Sequence, residues 1–252
     1  ELGANGLALG PVFTSSSHGY DTVDYFRLDP RLGDEADLRE LVDAAHGKGI
    51  RVLLDGVFNH VSREHPMFRD ALSGGPDSAA AQWFHLYWRG PGEEPEYEHF
   101  EGHRDLVTLN HSSPAVVDHV VEVMCYWLER GADGWRLDAA YAIPASFWAR
   151  VLPRVRERFP DAYIVGEMIH GDYSAYVEEA GLDAVTQYEL WKAIWSSLND
   201  HNFHELNWTL GRHNRFLDQF VPLTFLGNHD VTRIASQLTD EPHHPQARAM
   251  LL

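Results

Sequence analysis

Short apolar runs alternate with amphipathic stretches along most of the chain. Residues 51–55 form a continuous apolar run closed by an acid, a pattern typical of a strand buried on both faces. Before this run, apolar residues repeat at helical spacing from Leu38 to Ala45, and Gly47 follows them. The pattern therefore predicts a helix that leads into a buried strand.

The same succession recurs further along. Ser113 and Pro114 have the residue types that begin helices, and an apolar stripe follows as far as Leu128. A buried strand is then predicted over residues 132–138. Further strands are predicted at residues 6–13, 162–167, 183–187 and 221–226, and further helices from Pro144, at 173–180 and over the aromatic region 190–216.

This rhythm predicts an α/β fold with a parallel sheet, no second topology and no internal repeat. Six strands with crossover helices suggest a truncated (β/α)₈ TIM barrel, comprising about strands 2 to 7. Both ends of the sequence look truncated. The sequence starts at Glu1 in what resembles the end of a helix, and it stops at Leu252 inside an apolar helical run. We therefore expect residues 1–252 to form an incomplete barrel.

Residues 61–110 interrupt the rhythm. Gly, Pro, His and Glu become more frequent there and the hydrophobic periodicity fades. Excursions of this length between a strand and a helix are usually functional loops or small inserted subdomains. We expect an insertion after the third strand of the barrel.

Composition limits the possible partners. A net charge of −18 argues against binding to a nucleic-acid backbone, because like charges repel. The sequence contains no run of 18 apolar residues, so no membrane partner is expected. The single cysteine, Cys125, can form no intrachain disulfide, which favours a reducing compartment such as the cytoplasm.

Four of the strand-like runs end in or lead directly to acids, and in barrels of this type the catalytic groups lie at the C-terminal ends of strands. Arg136 stands two residues before one of these acids, so both side chains project to the same face of a strand. A cation that close favours the ionised carboxylate. The four acids expected to meet at one mouth are Asp55, Asp138, Glu167 and Asp230.

Two chemistries use such a cluster. A metal-dependent, enolase-like barrel would hold a divalent ion on three carboxylates, but Arg136 would compete with the metal. Neither lysine, Lys48 or Lys192, stands at the end of a predicted strand, where it could act as a base. A glycosidase would use two carboxylates to break a glycosidic bond. That interpretation gives Arg136 a purpose, and it uses the remaining polar candidates as sugar contacts: His60, His229 and Tyr20.

Four ordered motifs resemble the signature regions of the α-amylase family of glycoside hydrolases. They are Asp55-Gly-Val-Phe-Asn-His60, Gly134-Trp-Arg-Leu-Asp138, Val165-Gly-Glu167 and Phe225-Leu-Gly-Asn-His-Asp230. The resemblance implies a (β/α)₈ barrel with a small domain B after strand three, which fits residues 61–110. It also implies retaining hydrolysis of α-glucosidic bonds in α-glucans or malto-oligosaccharides, without an organic cofactor.

The resemblance implies a role for each candidate residue. Asp138 would be the nucleophile, Glu167 the general acid/base and Asp230 the stabiliser of the transition state. The other residues would surround the sugar in subsite −1 or support that subsite: Arg136, His60 and His229 as subsite residues, Tyr20 as the stacking tyrosine and Asp55 as a structural acid.

The departures from the family pattern refine these expectations. Asn59 keeps one residue of the family calcium site, but Thr108 and Ala142 stand at two of its usual positions, so we predict no tightly held calcium. Ser17 replaces an aspartate found in many exo-acting α-glucosidases, which favours amylase-like or cyclomaltodextrinase-like action over an α-glucosidase. An α-glucan transglycosylase stays open. A catalytically silent binding subunit would have lost catalytic acids, and all three are present here.

Overall fold

The structure, a computed structural model, describes residues 3–90 and 92–249. They divide into two compact units, and the boundary between Ile164 and Val165 falls inside a strand. Glu1 and Leu252, on which the expectation of a truncated chain rests, lie outside the described residues. We describe the two units one after the other.

The first unit contains most of the strands. They are β1 (Gly6–Ala8), β2 (Phe13–Ser15), β3 (Thr22–Leu28), β4 (Arg51–Gly56), β5 (His60–Ser62), β6 (Leu86–Tyr87), β7 (Glu96–Tyr97), β8 (Leu106–Thr108) and β9 (Gly134–Leu137). Its helices are α1 (Glu35–His46), α2 (Pro66–Gly74), α3 (Pro114–Leu128) and α4 (Ala145–Arg158). Short 3₁₀ helices lie at Ala80–Trp83, Phe100–Gly102 and Ala140–Ala142.

Strand β10 (Tyr163–Gly166) carries the chain across the boundary. The second unit then contains β11 (Ala184–Val185) and the helices α5 (Tyr173–Ala180), α6 (Tyr188–Asp200), α7 (His204–Phe216), α8 (Ile234–Gln237) and α9 (His243–Ala249). It is therefore mainly helical.

Strand β4 lies at the centre of the first unit's parallel strands. It pairs in parallel with β1 and with β9, and the second pairing sets Asp55 opposite Arg136. Val52 and Leu54, which share one face of this strand, are buried, and on the opposite face Leu53 is half-buried and Asp55 is buried. The predicted strand and its parallel setting are confirmed.

The expectation of no second topology is wrong. The first unit also contains three antiparallel pairs, namely β2 with β3, β5 with β8, and β6 with β7. Strand β3 was not predicted, because its buried residues, Thr22 and Tyr25, do not alternate with a period of two. Antiparallel ribbons need no crossover helix, so they leave no mark on a strand–helix rhythm.

The excursion at residues 61–110 starts and ends at one of these ribbons. The backbone of β5 pairs with that of β8, and His60 lies opposite Thr108. Between the two strands lie α2 and the β6–β7 pair, while Pro91 is outside the described residues. That this segment forms a domain B stays a prediction.

The predicted helices of the first unit are confirmed. The apolar stripe of α3 is buried, including Val117, Val120 and Met124, and α3 packs against α4. Helix α1 begins with a capping box. The Asp34 side chain accepts the backbone N–H of Asp37, and the Asp37 side chain accepts the backbone N–H of Asp34. Among the described residues, the helices of both units lack the length and apolar character required to cross a bilayer.

In the second unit, β10 and β11 are parallel, with Val165 opposite Ala184. The predicted strand at 183–187 is confirmed in a shorter form. The predicted strand at 221–226 is wrong, because Leu223 makes only a single bridge to Thr186. Leu223 donates to the Val185 carbonyl and accepts from the Gln187 N–H, but α6 begins at Tyr188, so the neighbouring strand ends before a second residue of this run can pair with it.

The predicted helical region 190–216 is divided in two. His201 ends α6 in the left-handed conformation, with φ 51° and ψ 34°, and α7 starts three residues later. A buried apolar cluster holds the later helices against α6. We call it the α6 cluster, and its buried members are Leu190, Ala193, Ile194, Leu198, Leu206, Leu238 and Ala247.

Candidate active site

In the first unit, Arg136 joins two of the predicted acids. Its Nη1 donates to both carboxylate oxygens of Asp55, at 2.8 and 2.9 Å, and to Oδ1 of Asp138 at 2.8 Å. The three side chains are at most 11% exposed. The expectation that Arg136 and Asp138 share a face is confirmed, and Arg136 compensates Asp55 as well.

Strand pairing and two close approaches explain this arrangement. Parallel pairing of β4 with β9 sets Asp55 beside Arg136. A Cβ at Gly134 would lie 2.0 Å from the carbonyl oxygen of Tyr163, so only glycine fits there. Immediately after Asp138, the backbone of Ala139 adopts a left-handed conformation, with φ 44°. The chain therefore turns sharply just beyond the acid.

Tyr20 also reaches this network. Its hydroxyl donates to Oδ2 of Asp55 at 3.3 Å. The carboxylate of Asp21 fixes the loop at residues 17–20. It accepts from the Ser17 hydroxyl at 2.7 Å and from the backbone N–H groups of His18 and Gly19. The aspartate thus orders the turn that presents the tyrosine.

His60 is buried beside Tyr20. Its Nε2 donates to the Tyr20 carbonyl at 3.1 Å, so its Nδ1 accepts from the Asn59 amide at 3.2 Å. Burial lowers the pKa of His60 to about 4, which keeps the imidazole neutral at pH 7. The ring stacks on Phe100 with centroids 4.6 Å apart, a contact that the sequence did not indicate. His60 is thus locked in one tautomer and one orientation.

In the second unit, the hydroxyl of Tyr188 lies between the other two acids. It is 3.1 Å from Oε1 of Glu167 and 3.4 Å from Oδ2 of Asp230, and it accepts from the Asn228 amide at 2.7 Å. A hydroxyl carries one proton, so it can serve the two carboxylates only in alternation. Burial, reinforced by the Glu167 charge, raises the pKa of Tyr188 above its ordinary value and keeps this proton in place.

Asp230 lies on an open loop. Its side chain is 44% exposed and that of His229 is 50% exposed, with 3.4 Å between His229 Nε2 and Asp230 Oδ1. The Asn228 side chain accepts from the backbone N–H of Asp230 at 2.9 Å. Asn228 therefore shapes the turn and also contacts Tyr188.

Sequence analysis missed Tyr188. A signal was present, because the tyrosine directly follows the predicted strand at 183–187 and so stands at a strand's C-terminal end. A tyrosine at such an end is equally typical of a core residue, however, whereas a charged residue there is not. The structure brings Asp55, Arg136 and Asp138 together in the first unit, and Glu167, Tyr188 and Asp230 in the second. That all four acids meet at one mouth stays a prediction.

Comparison with known proteins gives a consistent result. The family model for the α-amylase catalytic domain matches residues 1–252. A cyclomaltodextrinase from Bacillus sp is 40% identical over 77% of this chain and 36% of its own length. An intracellular maltogenic amylase from Bacillus subtilis is 32% identical over 100% of this chain and 43% of its own length. The chain thus spans less than half the length of these curated relatives.

A solved structure extends the match to three dimensions. The ligand-free cyclic α-maltosyl-(1→6)-maltose hydrolase from Arthrobacter globiformis superposes with a TM-score of 0.87 at 30% identity, covering 99% of this chain and 59% of that one. The predicted TIM-barrel class is confirmed, and the enolase-like alternative is wrong. The chain belongs to the α-amylase family of glycoside hydrolases, whose catalytic-domain model it matches along its whole length.

Proposed function

We propose that the protein hydrolyses α-glucosidic bonds in malto-oligosaccharides or related α-glucans and retains the anomeric configuration. The main support is the link from Arg136 to both Asp55 and Asp138, in a chain that belongs to this family. A buried carboxylate held beside a guanidinium is suited to act as an ionised nucleophile. The relatives named cyclomaltodextrinase and maltogenic amylase support this class of substrate.

In the first step, Asp138 attacks the anomeric carbon while Glu167 donates a proton to the departing glycosidic oxygen. The carbon–oxygen bond to the leaving sugar breaks as the ester bond to Asp138 forms. Arg136 needs little movement during this step, because it already contacts the attacking carboxylate. The product is a covalent glycosyl-enzyme and a free sugar end.

In the second step, a water molecule attacks the same carbon and Glu167 accepts the water's proton. The ester bond breaks and Asp138 leaves as a carboxylate, so two inversions give net retention. The Tyr188 hydroxyl can donate to Glu167 when it is ionised and to Asp230 when Glu167 is protonated. We propose that this alternation helps Glu167 to exchange its proton.

The remaining residues would hold the sugar. We assign Tyr20 to stacking under the ring in subsite −1, with His60 and His229 as hydrogen-bond partners for its hydroxyl groups. Asp230 would stabilise positive charge that develops in the transition state. Asp55 would hold Arg136 and Tyr20 in position, since both contact its carboxylate.

The stereochemical course provides the test. Proton NMR of the products just after cleavage of an α-glucan by the full-length protein should show the α-anomer first. Initial release of the β-anomer would contradict the assignment of Asp138 as nucleophile. A protein that released no product under any condition would instead support the alternative of a silent binding subunit.

An α-glucan transglycosylase is the second candidate, because the glycosyl-enzyme can pass its sugar to another sugar instead of water. It would share every residue assigned here and differ in the acceptor. Product analysis at high malto-oligosaccharide concentration separates the two activities. Chains longer than the substrate would indicate transfer, and only shorter products would indicate hydrolysis.

A further inference from the structure

Three potential metal ligands converge in the second unit, on residues with no part in the proposed sugar chemistry. They are His201, Asp240 and His243, and each offers one nitrogen or oxygen atom. These three atoms all lie within 4.8 Å of one another. Two histidines and a carboxylate are a ligand set typical of transition-metal ions, whereas calcium and magnesium prefer oxygen ligands.

One of these residues has an unsatisfied polar atom. Nδ1 of His243 is buried and has no hydrogen-bond partner among the described residues. A buried nitrogen without a partner is destabilising, and so its presence requires an explanation. The rings of His201 and His243 meet edge to face with centroids 5.5 Å apart, so the two imidazoles are already in contact.

The backbone around the ligands is held by contacts that need no metal. Asn199 donates to the Gln237 carbonyl at 2.9 Å and accepts from the backbone N–H of Thr239 at 3.0 Å. Leu238 and Ala247, on either side of Asp240 and His243, are buried in the α6 cluster. The last turn of α6 and the segment before α9 are therefore fixed against each other.

His201 occupies a position that usually favours glycine. It closes α6 with φ 51° and ψ 34°, and its N–H donates to the Ser197 carbonyl. Glycine adopts this left-handed conformation without strain, and histidine adopts it less readily. A histidine here presents an imidazole beside Asp240 and His243, which glycine could not do.

We propose that His201, Asp240 and His243 form a binding site for a divalent transition-metal ion such as Zn²⁺. Around a tetrahedral zinc ion the three ligand atoms would be about 3.4 Å apart, given zinc–ligand distances of about 2.0–2.2 Å. His201 and Asp240 are exposed, so their side chains can close the remaining gap. A water molecule would complete the coordination.

A metal at this position would clamp the end of α6 to the segment that carries α8 and α9. That segment continues directly from the loop with His229 and Asp230, and Leu226 and Ile234 at the two ends of the loop pack against the α6 cluster. The ion would therefore stabilise the scaffold of this loop. It would take no part in bond cleavage.

The test uses the chain without a histidine tag, stripped of metal, with Zn²⁺ and Co²⁺ as probes. Calorimetric titration should give one zinc site that depends on these residues, and the melting temperature should rise with zinc concentration. Co²⁺ at the same site should give visible d–d absorption bands. Loss of a direct ligand should weaken binding at least as much as the roughly 10–100-fold typical of an outer-shell change.

His201→Gly is the most informative variant, because glycine suits the backbone conformation. Its metal-free melting temperature should be equal or higher, while the zinc-dependent rise and the Co²⁺ bands should disappear. Asp240→Asn should weaken binding with almost no change in shape. The matched control is His204→Ala, which removes another exposed histidine of the same unit and should leave zinc binding intact.

Two outcomes would overturn the proposal. One is a chain that shows no zinc-dependent rise in melting temperature and no Co²⁺ bands. The other is a His201→Gly chain that keeps the full zinc affinity and stoichiometry, which would assign the binding to other histidines. Neither outcome bears on the proposed glycosidase activity, because these three residues are not assigned to it.

Discussion

The two clusters of acids, one in each unit, hold their carboxylates in different ways. In the first unit, Asp55 and Asp138 share one guanidinium, and all three side chains are at most 11% exposed. In the second unit, Glu167 and Asp230 share a neutral hydroxyl, and Asp230 is 44% exposed. The first cluster is built around a fixed charge and the second around a movable proton.

This difference matches the roles proposed for the acids of the two clusters. A guanidinium favours the ionised form of a carboxylate, which suits a nucleophile that attacks as a carboxylate and leaves as one. A tyrosine hydroxyl brings no net charge and can turn between two acceptors, which suits a residue that must gain and lose a proton. The predictions below test this contrast, in order of decreasing expected effect.

The largest effects should come from Asp138→Asn and Glu167→Gln. Both should abolish turnover of ordinary α-glucans, because one removes the nucleophile and the other the proton donor. A general acid contributes about 10²–10⁴-fold, but its loss should matter little for a glycosyl fluoride, whose leaving group needs no proton. Steady-state rates on the two substrates measure the difference.

Only Glu167→Gln should recover on the fluoride. Equal loss for both variants on that substrate would overturn the division of roles between Asp138 and Glu167. Asp118→Asn is a control, because it removes an exposed carboxylate that pairs with Arg154 on the surface of the first unit.

The next largest effect is on stability. Arg136→Ala would leave Asp55 and Asp138 buried without their shared cation, and breaking a buried pair in this way costs about 3–5 kcal/mol. Urea unfolding should show this loss. The control Arg154→Ala removes an exposed partner of Asp118 and should change the free energy of unfolding by at most about 1 kcal/mol. Similar losses in both variants would show that Arg136 is not a special anchor.

The same contrast explains what the sequence could predict. Arg136, Asp138 and Asp55 were identified because charged residues at strand ends are visible in one dimension, and their contacts follow from strand periodicity and pairing. Tyr188 was missed because a tyrosine after an apolar run is equally typical of a core residue. Its role depends on Glu167 and Asp230, which lie 21 and 42 residues away along the chain.

The failures of the fold prediction have a similar origin. Residues 221–226 have the composition of a strand, but a strand requires a neighbour to pair with, and the neighbouring chain turns into α6 at Tyr188 after pairing only with Leu223. Strand β3 shows the reverse: its buried residues do not alternate as in a typical strand, yet it pairs with β2. Local pattern predicted the helices and the central parallel strands, and it failed where distant pairing decides.

Acid should destabilise the first unit through its buried histidines. Burial lowers the pKa of each of four histidines to about 4, namely His60, His65, His111 and His119. In the unfolded chain a histidine titrates near 6.5, so the unfolded state binds more protons between pH 6.5 and pH 4. Stability is therefore complete above pH 6.5 and falls as the pH is lowered towards 4.

One pKa unit corresponds to about 1.4 kcal/mol, so each of these histidines should remove about 2 kcal/mol between pH 6.5 and pH 5. Hydrogen exchange at both pH values should show earlier loss of protection in β4 and β9 than in α6. His111→Gln, which can still donate to the Phe58 carbonyl, should flatten the dependence. Equal loss of protection in both units would contradict this assignment.

Tyr188→Phe should have a smaller effect. It removes the hydroxyl shared by Glu167, Asp230 and Asn228, and we expect kcat to fall about tenfold, the equivalent of one hydrogen bond of about 1.4 kcal/mol. If Tyr188 assists proton exchange, the pH profile of kcat should also move. Tyr173→Phe is the control, since this buried tyrosine lies in the same unit. Among the described residues its hydroxyl donates only to the Met168 carbonyl. An unmoved profile would reduce Tyr188 to a packing role.

The smallest effect on the melting temperature is expected from chelation of calcium with EDTA. Asn59 is buried and its amide contacts His60, while Thr108 offers no carboxylate and Ala142 offers only its backbone. Calcium requires about six to eight oxygen ligands and gains affinity from their charge, so we predict no tightly held ion. EDTA would also remove zinc from the site proposed above, so the experiment is best done with His201→Gly. Its melting temperature should be unchanged by EDTA. A drop of many degrees that added Ca²⁺ restores would show that an acid of residues 61–110, such as Glu98 or Asp105, completes a calcium site.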